Sequence, residues 1–103
     1  MPSFEICTTK YEEDIKLIQV ALTKMEAICN IATGFKFGEP TSRFGWTFLQ
    51  IYLDQELCMG IEDKFSDMIK KCKGYKPDEK FTNFLSQYFE SRGCNVKVKM
   101  VND

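Results

Sequence analysis

Hydrophobic and polar positions alternate from Ser3 to Thr8, with Phe4, Ile6 and Thr8 on one side and Glu5 and Cys7 on the other. A period of two predicts a half-buried strand. The period then lengthens: Ile15, Ile18, Leu22, Met25, Cys29 and Ala32 step by three and four, and Leu17, Ala21, Ile28 and Ile31 widen the stripe. The pattern predicts a helix from Thr9 to about Thr33, opened by a Thr9-x-x-Glu12 capping box and stopped at Gly34. The stripe is too broad and too short for a coiled-coil seam, so it suits a helix lying across a sheet.

Between Gly34 and Leu53 the pattern changes character. Phe35, Phe37, Phe44, Trp46, Phe48 and Tyr52 crowd this stretch, with Lys36 and Arg43 among them and Gly34, Gly38 and Gly45 as punctuation. Read as strands, Phe35 to Gly38 turns through Glu39-Pro40-Thr41-Ser42 into a strand from Arg43 to Leu53. Thr47, Leu49, Ile51 and Leu53 then share one face, and Trp46, Phe48, Gln50 and Tyr52 the other. Read as a helix over Thr47 to Met59, the same residues are apolar nearly all round. Aromatic and β-branched residues favour the pleated reading.

Asp54 to Lys73 is helical in pattern, with Leu57, Ile61, Phe65, Met68, Ile69 and Cys72 in a stripe, Gly60 as a weak point and Gly74 as its end. Pro77-Asp78-Glu79 opens a further helix. In it Phe81, Phe84, Leu85, Tyr88 and Phe89 follow helical spacing closely, and Gly93 closes it. Cys94 to Val101 alternates again, with Val96, Val98 and Met100 opposed to Asn95, Lys97 and Lys99. Val98 is expected beneath the first helix, near Ile15, Leu22, Met25 and Cys29.

The predicted order is β-α-β-β-α-α-β, a split βαβ, ferredoxin-like α+β architecture with helices on one face of a small sheet. The alternative is a largely helical middle with only the terminal strands paired. With 103 residues and no linker, repeat or low-complexity run, the expectation is one domain over 1–103.

Composition narrows the chemistry. There is no histidine, so no Ser-His or Cys-His nucleophile pair and no His metal ligand can form. Cys7, Cys29, Cys58, Cys72 and Cys94 are odd in number and widely spaced without a CxxC pair, which predicts free thiols and a cytoplasmic setting. No phosphate-cradling glycine motif occurs. Neighbouring acids such as Asp54 and Glu56, Glu62 and Asp63, or Asp78 and Glu79 diverge on a helix rather than converge on a substrate. A net charge of −1 gives no overall attraction to nucleic acid or anionic membrane. No cofactor, metal or membrane contact is expected.

Two short stretches resemble known families. Phe44-Gly45-Trp46-Thr47-Phe48-Leu49 is similar to the aromatic motif on the third strand of the RNA-recognition fold, with Phe44 and Trp46 at the motif's aromatic positions. Arg43 stands where that motif has glycine and Ser42 where it has a basic residue. The resemblance implies single-stranded RNA or DNA stacked on sheet rings. The start Met1-Pro2-Ser3-Phe4-Glu5-Ile6 resembles that of the tautomerase superfamily. This implies removal of Met1, Pro2 nitrogen as a general base and Arg43 as a carboxylate anchor.

The expected function is a small non-catalytic protein-binding module, of the inhibitor, adaptor or viral accessory kind, whose partner is another protein or a second copy of itself. Its surface is assigned to Phe44, Trp46, Phe48, Tyr52 and Arg43. Aromatic stacking on nucleic acid and tautomerase-like catalysis stand as alternatives.

Overall fold

The computed structural model describes residues 3–101. Pro2, the base in the tautomerase-like reading, lies outside the described residues.

β1 spans Ser3–Thr8, with Phe4 and Ile6 buried and Glu5 and Cys7 half-buried on the opposite side. α1 spans Tyr11–Cys29 and is shorter at both ends than its pattern implies. The Thr9–Glu12 capping box does not form. Lys10 takes the N-cap position and no side chain caps the helix. Thr8 ties strand to helix instead: its hydroxyl donates to the Asp14 carboxylate and accepts the Lys10 backbone N–H at 3.0 Å. Thr8 and Asp14 are both buried, where a polar group without its partner costs about 1–3 kcal/mol.

At its other end α1 stops at Asn30 rather than Gly34. Asn30 adopts a left-handed φ of 57°, and the Asn30 and Ile31 N–H groups donate back to the carbonyls of Ala27 and Glu26. Asparagine accepts this conformation more readily than other non-glycine residues, so it ends the helix first. Gly34 has a different task. It is buried, a Cβ there would lie 2.8 Å from Leu57 Cδ2, and its N–H donates to the Glu26 carboxylate at 2.6 Å.

The aromatic segment is strand. β2 covers Phe35–Phe37, β3 Thr41–Arg43 and β4 Trp46–Leu53. The chain does not reverse at Glu39–Ser42. β2 pairs with β4 at Ile51–Leu53, the Gly38 N–H donates to the Gln50 carbonyl at 2.8 Å, and β3 pairs with β4 at Trp46–Phe48. β2 and β3 are therefore one interrupted edge running in a single direction. Pro40, which has no N–H to donate, sits at the interruption. The reversal falls at Phe44-Gly45, the two residues between paired Arg43 and Trp46, both with positive φ.

α2 covers Gln55–Lys64 and α3 Ser66–Lys70, so the continuous helix expected over Asp54–Lys73 is broken. The break is at Phe65 (φ −115°, ψ 23°), whose ring packs 5.3 Å from Phe84 and 5.9 Å from Tyr88 by centroid. Tertiary packing of that ring outweighs the local helical preference. Gly60 stays helical, and a Cβ there would lie 2.9 Å from Cys29 Sγ, so its bareness lets α1 and α2 approach.

α4 covers Pro77–Ser91 and buries Phe81, Phe84, Leu85, Tyr88 and Phe89, as its spacing predicts. β5 covers Lys97–Val101. Val96, Val98 and Met100 are half-buried against the core. Val98 shares its surroundings with Leu22 of α1 but also with Leu85 and Phe89 of α4, which covers this edge strand.

The sheet runs β2-β4-β1-β5 with β3 also on β4, and all its pairings are antiparallel. α1 crosses from β1 to the β2–β3 edge, and α2 to α4 return from β4 to β5. The result is two interleaved β-α-β units in the ferredoxin-like order. The core lies between sheet and helices, with Phe4, Ile6, Ile51 and Leu53 packed with residues of α1, α2 and α4. All five cysteines are free thiols.

Candidate functional site: the open sheet face and the β3–β4 turn

The strand alternation that buries Leu49, Ile51 and Leu53 sends Trp46, Phe48, Gln50 and Tyr52 to the opposite side of β4. Successive residues of that row stand about 7 Å apart along the strand, with Gln50 between Phe48 and Tyr52. Registry places Cys7 and then Lys97 across from Phe48, Glu5 and then Lys99 across from Gln50, and Ser3 across from Tyr52. On the other flank Lys36 faces Tyr52, Thr41 faces Phe48 and Arg43 faces Trp46. A central row of rings thus lies between two cationic edges, Lys97 and Lys99 on β5, and Lys36 and Arg43 on β2 and β3.

The cations engage the rings. The Arg43 guanidinium carbon lies 5.7 Å from the Phe48 centroid, and Lys97 Nζ lies 5.7 Å from the Trp46 centroid. Both distances fall within cation–π range. The Tyr52 hydroxyl donates to Gln50 Oε1, and the hydroxyls of Ser42 and Thr47 lie 3.2 Å apart. A shallow cavity of about 330 Å³ opens on this face, lined by Glu5, Glu39, Arg43, Phe48, Gln50 and Tyr52 among others.

Of the expected surface residues, Arg43, Trp46, Phe48 and Tyr52 come together on this face. Phe44 does not join them. It stands at the tip of the hairpin, 98% exposed, with a left-handed φ of 54°. Two-residue turns with both central φ values positive favour Asn-Gly because a side chain with a bulky Cβ substituent is strained there. Gly45, φ 80°, satisfies the second position, and Phe44 occupies the first against preference. Trp46 is 37% exposed.

Sequence reading missed the companions of the rings. Lys97, Lys99 and Glu5 lie on the terminal strands, and only strand pairing brings them to β4, whereas Lys36 already stood among the rings in the sequence. The alternation of Asn95, Lys97 and Lys99 carried the signal that these lysines share one face, but not which rings they meet.

Among the described residues no group of three or more Cys, Asp or Glu could hold a metal ion, and no helix is long and apolar enough to cross a membrane. Comparisons with known protein families, curated proteins and solved structures find no match to this chain.

Proposed function

We propose that this chain is a non-catalytic module that binds another protein through the β3–β4 turn and the adjoining ring row, with Phe44, Trp46, Phe48, Tyr52 and Arg43 as contacts. One observation carries the reading. Phe44 holds a left-handed backbone that the turn requires and that a bulky side chain disfavours, and its ring is fully solvated. A protruding ring next to an arginine and a tryptophan is suited to a partner's apolar pocket, since Trp, Tyr and Arg dominate binding hot spots. Glu5 and Glu39 on the same face favour a protein over a polyphosphate chain.

A second reading has its own support. Lys36, Arg43, Lys97 and Lys99 flank the rings, and a cationic groove floored by aromatic side chains suits a single nucleic-acid strand.

The test is affinity capture from native-source lysate with the wild-type chain, Phe44→Asn and Trp46→Ala, each with and without nuclease, read by quantitative mass spectrometry. The protein reading expects a partner retained by the wild type, reduced by both substitutions and indifferent to nuclease. Equal retention by all three chains sinks it. Loss of every retained species on nuclease treatment, with salt-sensitive binding of a labelled oligonucleotide, transfers the site to nucleic acid.

A further inference from the structure

α1 leaves part of its surface without a partner. Leu17 is 37% and Val20 53% exposed, and Glu13 and Lys24 on the same side of the helix are exposed as well. At steps of four, three and four, Glu13, Leu17, Val20 and Lys24 form one continuous stripe. That stripe is self-complementary. Glu13 and Lys24 lie equally far from a midpoint between Ile18 and Gln19, and Leu17 and Val20 share the same midpoint.

We propose that two copies of this chain pair through α1, antiparallel about a twofold axis at that midpoint. In this arrangement Leu17 of each copy meets Val20 of the other, and Glu13 of each meets Lys24 of the other. The interface is then isologous, with every contact made twice. Orientation follows from charge. A parallel pair would set Glu13 against Glu13 and Lys24 against Lys24, whereas the antiparallel pair gives two opposite-sign contacts. It also places each Glu13 side chain, near a helix N-terminus, beside the other helix's C-terminal half. The pattern matches itself, so a second copy fits it better than an unrelated helix, which would need the same charges in the mirrored order.

With two apolar side chains per copy at its centre, the contact is smaller than a permanent interface requires, so the dimer is weak and concentration-dependent. The helices cover one side of the sheet, so pairing through α1 leaves the ring-bearing face of both copies free. A multivalent ligand would then be held by two such faces at once, and its apparent affinity would rise without any new contact.

The test is analytical ultracentrifugation of the full chain up to millimolar concentration, with thermal melting as the control for folding. The wild type should show reversible dimerisation. Glu13→Lys and Lys24→Glu should each weaken the dimer roughly tenfold, because each converts two attractions into repulsions, and added salt should shrink the effect. The double variant E13K/K24E should recover dimerisation to within about threefold of the wild type, since it restores opposite charges with the order reversed. Val20→Asp should abolish association while melting like the parent. A wild type that stays monomeric at millimolar concentration overturns the proposal. So does a dimer that ignores both charge reversals, or a double variant no better than the singles. A dimer weakened by Trp46→Ala instead belongs to the sheet face and counts against α1.

Discussion

Replacing Phe44 by asparagine should stabilise this protein. The ring is 98% exposed, so its removal forfeits almost no buried apolar area, and the transfer contribution of about 25 cal/mol per Å² applies to essentially nothing. The backbone contribution has the opposite sign. Phe44 holds φ 54°, and a left-handed conformation costs an ordinary L-residue about 1–2 kcal/mol, most of which asparagine avoids. Allowing for strain that asparagine itself retains, the gain is about 1 kcal/mol, which raises the melting temperature of a domain this size by about 4–8 °C. Urea unfolding followed by circular dichroism should show a higher midpoint at unchanged m-value. Phe44→Ala is the control, because it removes the ring but keeps a Cβ in the left-handed region, so it should be near neutral. If Phe44→Asn lowers the midpoint, the ring supports the fold and the argument that it is held for a partner collapses. Paired with lost partner binding, increased stability would separate function from folding at a single residue.

Three further outcomes follow from the packing. Gly34→Ala should destabilise by about 1–3 kcal/mol, because the new Cβ lies 2.8 Å from Leu57 Cδ2 and 2.9 Å from Leu57 Cβ; unfolding midpoints equal to wild type would show that Leu57 yields freely. Thr8→Val removes the hydroxyl that serves buried Asp14 and should cost about 1–3 kcal/mol, while Thr8→Val/Asp14→Leu should recover part of it, and urea titrations of the three chains decide. Burial pushes the thiols of Cys58 and Cys94 up to about 11, with the carboxylates of Glu62 and Asp14 respectively adding to the shift. The unfolded chain then loses these protons first, so stability is full below the ordinary thiol range. It falls as pH rises toward about 11, by up to roughly 1.4 kcal/mol per pH unit for each thiol. Cys58→Val should flatten that decline, and an identical pH profile in the variant would assign it to other groups.

The sequence was most legible where one face of an element is buried and the other is wet. β1, β4 and α4 follow their periods residue by residue, down to Leu49, Ile51 and Leu53 inward and Trp46, Phe48 and Tyr52 outward. It was least legible where a local signal competed with a neighbour. Thr9 and Glu12 have the capping spacing, but the adjacent Thr8 hydroxyl is drawn to Asp14 and sets the helix entry. Pro40 suggests a turn, yet the positive φ values at Phe44 and Gly45 fix the reversal four residues later. Phe65 carries no helix-breaking chemistry of its own, and only its packing on Phe84 and Tyr88 explains the break. The candidate site shared this limit: its rings were visible as a cluster with Lys36 and Arg43, but Lys97 and Lys99 arrive from a strand far away in the chain.

β4 explains why the open face invites a functional reading. A strand buried on one side needs apolar residues only at alternate positions, and Leu49, Ile51 and Leu53 meet that need. A slip of one residue would exchange the two sets, so the inward aliphatics fix the register and the outward rings are free of that duty. Polar residues at Trp46, Phe48 and Tyr52 would keep the same register and leave the sheet better solvated. The rings are instead partly shielded by Arg43 and Lys97, whose cation–π contacts temper exposed aromatic surface without covering it. Such a cover is removable, because a lysine or arginine side chain can swing aside at the cost of a contact worth about 0.5–1 kcal/mol at an exposed site. Rings and cations therefore form a lightly shielded surface beside the exposed turn.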